Sequence, residues 1–190
     1  MNRQLDDKPG LLAAIAQGWQ PKYLFFWGHT PKQKGQIGPY CLSQWYPSAF
    51  TVDGDNYPTS EHFMMAEKAR LFQDDEARKA ILAATHPGKA KKLGRKVRGF
   101  VQERWDHHCV DVVYRGNLAK FNQNEALKTY LLGTGERVLV EASPADAIWG
   151  IGLAADARQA SDPRQWPGLN LLGFALMRVR ESLHKLAPEY

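Results

Sequence analysis

A carboxylate and an amine stand seven positions apart in the segment Tyr57-Pro58-Thr59-Ser60-Glu61-His62-Phe63-Met64-Met65-Ala66-Glu67-Lys68. On a helix, Glu61, Met64, Met65 and Lys68 fall at i, i+3, i+4 and i+7 and share one face. Two readings of that face stay open. It is a core stripe whose charged ends snorkel to solvent, or the floor of a pocket carrying two reactive groups. In the second reading the helix start and Lys68 both favour an ionised Glu61, which then acts as a base or electrostatic stabiliser. His62 reads as a capping or core histidine. Ser60-Glu61-His62-Phe63 does not have the two-histidine spacing of a zinc-binding helix, so no metal is expected there.

A second constellation is Asp146-Ala147-Ile148-Trp149-Gly150-Ile151-Gly152. A tryptophan between an acid and two glycines can lay its ring beside a close approach of backbone, or can simply plug the core at a tight turn. A third is the basic run Lys89, Lys91, Lys92, Arg95, Lys96 and Arg98, either a solvated helix face or, at Gly94-Arg95, a fork for a phosphate. His107-His108-Cys109 is set aside as a metal cluster, because adjacent helical residues point in different directions. A P-loop, a GxSxG elbow and a GxGxxG turn are all absent, which disfavours NTPases, α/β-hydrolases and dinucleotide-binding enzymes. No cofactor is expected.

The elements that must position these groups follow from caps, breakers and periodicity. Thr59 or Ser60 caps a helix that runs to about Gln73, with further helices over 75–84, 87–95, 103–123 and 125–132. Tyr23-Leu24-Phe25-Phe26-Trp27 and Arg137-Val138-Leu139-Val140-Glu141 read as strands. Phe50-Thr51-Val52 and Asn56-Tyr57 read as two short strands around Asp53-Gly54-Asp55. Residues 28–39 and 143–168 are loops, and Leu171, Leu172, Ala175, Leu176, Val179 and Leu183 mark the apolar face of a closing helix over 170–186. The fold class is α+β: a single, mostly helical domain over 22–186 with a small sheet, preceded by a lead-in helix within 1–21.

The chain has 190 residues, 44% hydrophobic and 24% charged, which excludes a disordered tail, a coiled coil and a collagen-like fibre. A net charge of +5 points to anionic partners without choosing among them. Six tryptophans are more than an ordinary chain of this length carries, and can serve as core or as stacking platforms. Cys41 and Cys109 read as buried thiols of a reducing compartment, and no segment has the apolar length of a membrane span or the flanks of a signal peptide. A cytoplasmic location and no membrane partner are therefore expected.

Six motifs then occur in order: Cys41-Leu42-Ser43-Gln44-Trp45, Tyr57 to His62, Ala66-Glu67-Lys68, Leu93-Gly94-Arg95, Asp146 to Gly152, and Asn170-Leu171-Leu172-Gly173. This succession resembles the NADAR domain, the YbiA-like family, over roughly 22–186. The resemblance implies an N-glycosidase that cuts the bond between a base-like nitrogen and ribose C1. One branch acts on ribosylamino-pyrimidine phosphates of early riboflavin biosynthesis, and another removes ADP-ribose from guanine. By position the catalytic residues are Glu61, Lys68 and Asp146, and the substrate-binding residues are Trp105, Trp149, Gly150, Arg95, Ser43, Gln44 and Asn170. Gln44 stands where many members have Asn, and the 28–39 segment is longer than in compact members. Both would reshape the substrate rim.

The residue chemistry is compatible with this. An oxocarbenium-like state is stabilised by a carboxylate, a flat leaving base stacks on Trp105 or Trp149, and a 5′-phosphate suits Arg95. A neutral Lys68 could instead capture C1 as a Schiff base. The expected partner is a small phosphorylated riboside, with nucleic acid entering only in the ADP-ribosyl-guanine alternative. A module that binds ADP-ribose or a nucleotide without turnover is a third reading, against which the set Glu61, Lys68 and Asp146 argues.

Overall fold

The computed structural model describes residues 5–31, 33 and 35–186. The helices are α1 (Lys8–Ala16), α2 (Ser60–Leu71), α3 (Asp75–Leu82), α4 (Pro87–Gly94), α5 (Gln102–Gln123), α6 (Glu125–Leu132) and α7 (Leu171–Leu186). The strands are β1 (Tyr23–Phe26), β2 (Phe50–Val52), β3 (Asp55–Tyr57) and β4 (Val138–Glu141), with 3-10 turns at Pro39–Leu42 and Pro163–Gln165. The fold is α+β and mostly helical. Its strands form two separate two-stranded ladders, β1 with β4 and β2 with β3. The chain forms two compact units, Gln44–Glu125 and Met1–Ser43 with Ala126–Tyr190.

In the Gln44–Glu125 unit, α2 is the central helix and packs against α3, α4 and α5. Its start is built as the caps demand. Thr59 is extended and its Oγ1 accepts the His62 N–H at 3.4 Å, satisfying one of the orphan donors of a first turn. Every residue from Ser60 to Glu67 is buried, so the face is wider than an amphipathic stripe. The helix can lie this close to α4 because Gly94 has no side chain, and a Cβ there would run into Sδ of Met65. Ahead of α2, β2 and β3 form a hairpin with Thr51 opposite Asn56. Its two turn residues, Asp53 and Gly54, have φ of 51° and 84°, the left-handed pair that a two-residue turn requires. Asp74 caps α3, accepting from the Ala77 N–H at 3.2 Å, and takes a 2.8 Å hydrogen bond from Arg98 that holds its carboxyl well below the usual range.

In the other unit, β1 and β4 pair in parallel from Tyr23 with Val138 to Phe26 with Glu141. Val138, Leu139 and Val140 are all buried, which is why β4 shows no polar–apolar alternation in the sequence. α7 packs on β4. The element types agree with the sequence reading and the ends shift by a residue or two, as frayed helix termini do. The 3-10 turn at Pro39–Leu42 lies in a segment read only as loop and motif.

Candidate active site

Glu61 sits in the first turn of α2 and is 5% exposed. It does not snorkel. The carboxylate is carried on a backbone held from the side: the Glu61 N–H donates to the Gln44 carbonyl at 3.0 Å. Gln44 is in turn fixed by Asn117 of α5, whose Nδ2 donates to Gln44 Oε1 at 2.8 Å and to the Val113 carbonyl at 2.8 Å. Ser60 Oγ donates to Asn117 Oδ1 at 3.4 Å. Gln44 and Asn117 are buried, so this polar network is satisfied internally.

His62 is fully buried, with Nδ1 2.8 Å from Thr59 Oγ1 and Nε2 3.0 Å from the Ala84 carbonyl. The carbonyl can only accept, so Nε2 carries the proton and Nδ1 accepts from the Thr59 hydroxyl. Burial lowers the His62 pKa. It is the core histidine the sequence suggested.

Two turns along α2, Lys68 lies among aromatic rings. Its Nζ is 4.0 Å from the centre of the Phe100 ring and 5.5 Å from that of Trp105. Burial, and then repulsion from Arg95, push its pKa below the ordinary lysine value. The rings alone would favour the charged form, but loss of hydration outweighs them and the neutral amine becomes more accessible. Phe100 is 39% exposed and leans edge-on against Phe72 at 5.3 Å.

The Asp146–Gly152 loop is organised by backbone. Asp146 Oδ1 accepts the N–H groups of Ile148 at 2.9 Å and Trp149 at 2.8 Å. The loop's own carbonyls then serve α7: Ile148 accepts from Leu171 and Trp149 from Leu172, while Gly150 accepts from Asn170. The loop thus satisfies donors that a helix start leaves unpaired. Gly150 is buried, and a Cβ there would meet the carbonyl oxygens of Glu141 at 2.7 Å and Asp146 at 2.9 Å. Trp149 is half-buried, so part of its ring is open.

The residues expected to bind substrate differ in how much surface they offer. The Gln44 side chain is turned inward onto Asn117, with Nε2 3.9 Å from Met64 Sδ. Asn170 is fully buried with φ of 56°, accepting from the Glu141 N–H and donating to the Leu139 carbonyl at 2.9 Å each. It ties α7 to β4. At Gly150 the close backbone approach is to the Glu141 and Asp146 carbonyls. Trp105 is 7% exposed, so most of its ring faces protein and the open ring beside Lys68 is Phe100. Arg95 is exposed at the end of α4 and half-buried Ser43 ends the 3-10 turn, both with surface to offer. Phe100 and Asn117 were not picked out from the sequence; neither lies in a motif, and their roles arise only through packing.

Among the described residues no group of His, Cys, Asp and Glu could hold a metal ion, and no helix is long and apolar enough to cross a membrane. His107 and His108 are exposed while Cys109 is buried, so the three do not converge.

A model of the NADAR domain matches residues 25–184. An N-glycosidase of Acanthamoeba polyphaga mimivirus is 45% identical over 165 residues, covering 84% of this chain and 95% of the relative. The N-glycosidase YbiA of Escherichia coli is 34% identical over 132 residues, 70% of this chain and 74% of its own. A riboflavin biosynthesis protein of Vibrio vulnificus is 35% identical over 77% of this chain, which corresponds to 36% of that longer protein. The NMR structure of E. coli YbiA superposes with a TM-score of 0.68 at 28% identity, covering 90% of this chain and 92% of that one.

Proposed function

The chain belongs to the NADAR domain family and is an N-glycosidase; on that premise we propose that it hydrolyses ribosylamino-pyrimidine phosphates, with Glu61, Lys68 and Asp146 as the reacting groups. The observation that carries this reading is the α2 face, where a buried carboxylate and an amine with a lowered pKa stand two turns apart on one helix. The riboflavin-related name of the V. vulnificus relative supports the choice of substrate.

Two routes use these groups. In direct hydrolysis, Glu61 or Asp146 supplies a proton to the glycosidic nitrogen as the C1–N bond breaks. Water adds to C1 and returns a proton to that carboxylate, leaving the free amine and ribose phosphate. An anionic carboxylate at the other position stabilises the oxocarbenium-like state. In the covalent route the sugar ring opens, neutral Lys68 adds to C1, and the base leaves as its amine with the transferred proton. Water then hydrolyses the Lys68–C1 imine, restoring the lysine and releasing the sugar. Phe100, beside Lys68, is a flat surface for the base, and Arg95, whose charge acts on Lys68, is the cation for the phosphate.

The deciding assay incubates the protein with a ribosylamino-pyrimidine phosphate and, separately, with ADP-ribosylated guanosine, and follows released base and sugar phosphate. Turnover of the first is expected. Turnover of the second alone would reassign the substrate to ADP-ribosyl guanine, and binding without turnover of either would overturn the reading. Borohydride added during turnover should leave a reduced sugar adduct on Lys68; its absence would restrict the mechanism to direct hydrolysis.

A further inference from the structure

In the unit formed by Met1–Ser43 and Ala126–Tyr190, α7, the turn after α6 and the segment leading into α1 enclose a cavity of about 190 Å³. None of its lining residues belongs to the α2 face or to the Asp146–Gly152 loop. Its most unusual member is Arg180, 9% exposed, with its pKa lowered by burial to about 10. A buried guanidinium ordinarily pairs with a carboxylate. Arg180 instead spends Nη1 on two neutral acceptors, Thr134 Oγ1 at 2.7 Å and the Arg137 carbonyl at 3.0 Å.

That leaves a specific edge. Among the described residues Nε and Nη2 take no hydrogen-bond partner, and neither is among the buried unpaired atoms. Arg180 is itself part of the cavity lining. Nε with Nη2 is the side-on fork that receives both oxygens of a carboxylate. The rest of the lining argues against a multiply charged anion. Asp6, Glu136 and Glu181 share the lining with Arg178, Arg180 and His184. Glu181 is engaged by Lys185 at 2.9 Å, which leaves Asp6 and Glu136 for a cationic nitrogen. Trp19 and Met177 supply an apolar wall. Drug-sized sites run to roughly 300–1,000 Å³, so the occupant is smaller than that.

We propose that this cavity is a second binding site, for a small zwitterion with an apolar body: its carboxylate on the Nε–Nη2 edge of Arg180, its ammonium toward Glu136 and Asp6, its apolar part against Trp19 and Met177. The probes are L-phenylalanine, 3-phenylpropanoate, which lacks the ammonium, and phenethylamine, which lacks the carboxylate. Binding is read by titration calorimetry and by NMR of the Trp19 indole and the Met177 methyl. Phenylalanine should bind at least tenfold more tightly than either half-molecule and shift both signals.

Arg180→Lys keeps the charge and loses the fork; it should weaken phenylalanine and phenylpropanoate by about 10- to 100-fold, the range for hydrogen bonds to a charged group. Glu136→Gln, on the exposed turn, leaves the Arg180 hydrogen bonds in place but removes a negative charge that acts on Arg180; it should weaken phenylalanine and leave phenylpropanoate bound as tightly or more tightly. If Arg180→Lys fails to fold, the three-probe comparison on the unaltered protein and Glu136→Gln still decide. No binding by any probe at millimolar concentration, equal binding of phenethylamine and phenylalanine, or shifts confined to other residues would overturn the proposal.

Discussion

The two carboxylates proposed as reacting groups are held in opposite ways. Glu61 is carried on a buried helix whose position is set by α3, α4 and α5 and by the Gln44–Asn117 network beneath it. Asp146 is held by its own loop, with Oδ1 spent on two backbone N–H groups and the loop's carbonyls spent on the start of α7. The helix therefore separates scaffold from reacting group, since other residues keep α2 in place. The loop merges the two, because the carboxylate itself helps shape the backbone that presents it. Replacing the Glu61 carboxylate should change chemistry with little change in stability, whereas removing the Asp146 side-chain oxygens should change both.

The largest effect is expected at Glu61. Glu61→Gln is nearly isosteric and should keep the fold by circular dichroism while lowering kcat by about 10²–10⁴-fold, the usual loss when a positioned acid–base or charge-stabilising group is removed. Full activity would remove Glu61 from the mechanism and erase the contrast.

Next comes the pair Asp146→Asn and Asp146→Ala. Asn retains an oxygen for the Ile148 and Trp149 N–H groups, so Asp146→Asn should lose at least about 100-fold in kcat with little change in melting temperature. Asp146→Ala should lose activity and a further ~1–3 kcal/mol of stability, measured by urea unfolding. Normal turnover in Asp146→Asn would assign this residue to the loop alone.

A smaller contrast concerns packing. Gly150→Ala places a methyl against two backbone carbonyls that cannot move independently, and should cost ~3 kcal/mol or more. Gly94→Ala meets the flexible end of Met65 and should cost ~1–2 kcal/mol. Chemical denaturation of the two variants would show whether the loop is the more rigid region.

The smallest effect is in pH dependence. The folded protein depresses the Lys68 pKa, so between that lowered value and the ordinary one near 10.5 the unfolded chain holds more protons. Stability should rise with pH across that window, and Lys68→Met should flatten the rise. In the covalent route, kcat/KM should climb with pH to a plateau reached below the ordinary lysine range, because only the neutral amine adds to C1. A plateau at or above 10.5 would contradict the aromatic surround as a desolvating environment.

Much of the α2 region was legible because its signals are local. A capping threonine, an acid in the first turn and seven-residue spacing all act within one helix, and the structure returns them within a residue or two. The loop was legible as a turn, but not as the cap of α7, because its hydrogen bonds run to residues about twenty positions later. Gln44 and Asn170 show the limit most clearly. Both are polar residues in recognisable motifs, yet their amides serve partners 73 and about 30 residues away.

By itself, the sequence determined the element types and the starts of the helices, and it named the candidate reactive side chains, since caps and periodicity depend on interactions a few residues apart. Only the tertiary structure decided which of those side chains face solvent and which face the core. Trp105 became covered and Phe100 remained open beside Lys68; Gln44 turned inward to Asn117; and Arg180 was buried with Nη1 on Thr134 and the Arg137 carbonyl. The physical reason is that burial and polar satisfaction are settled between distant segments, where desolvation makes each unpaired group costly enough to choose its partner.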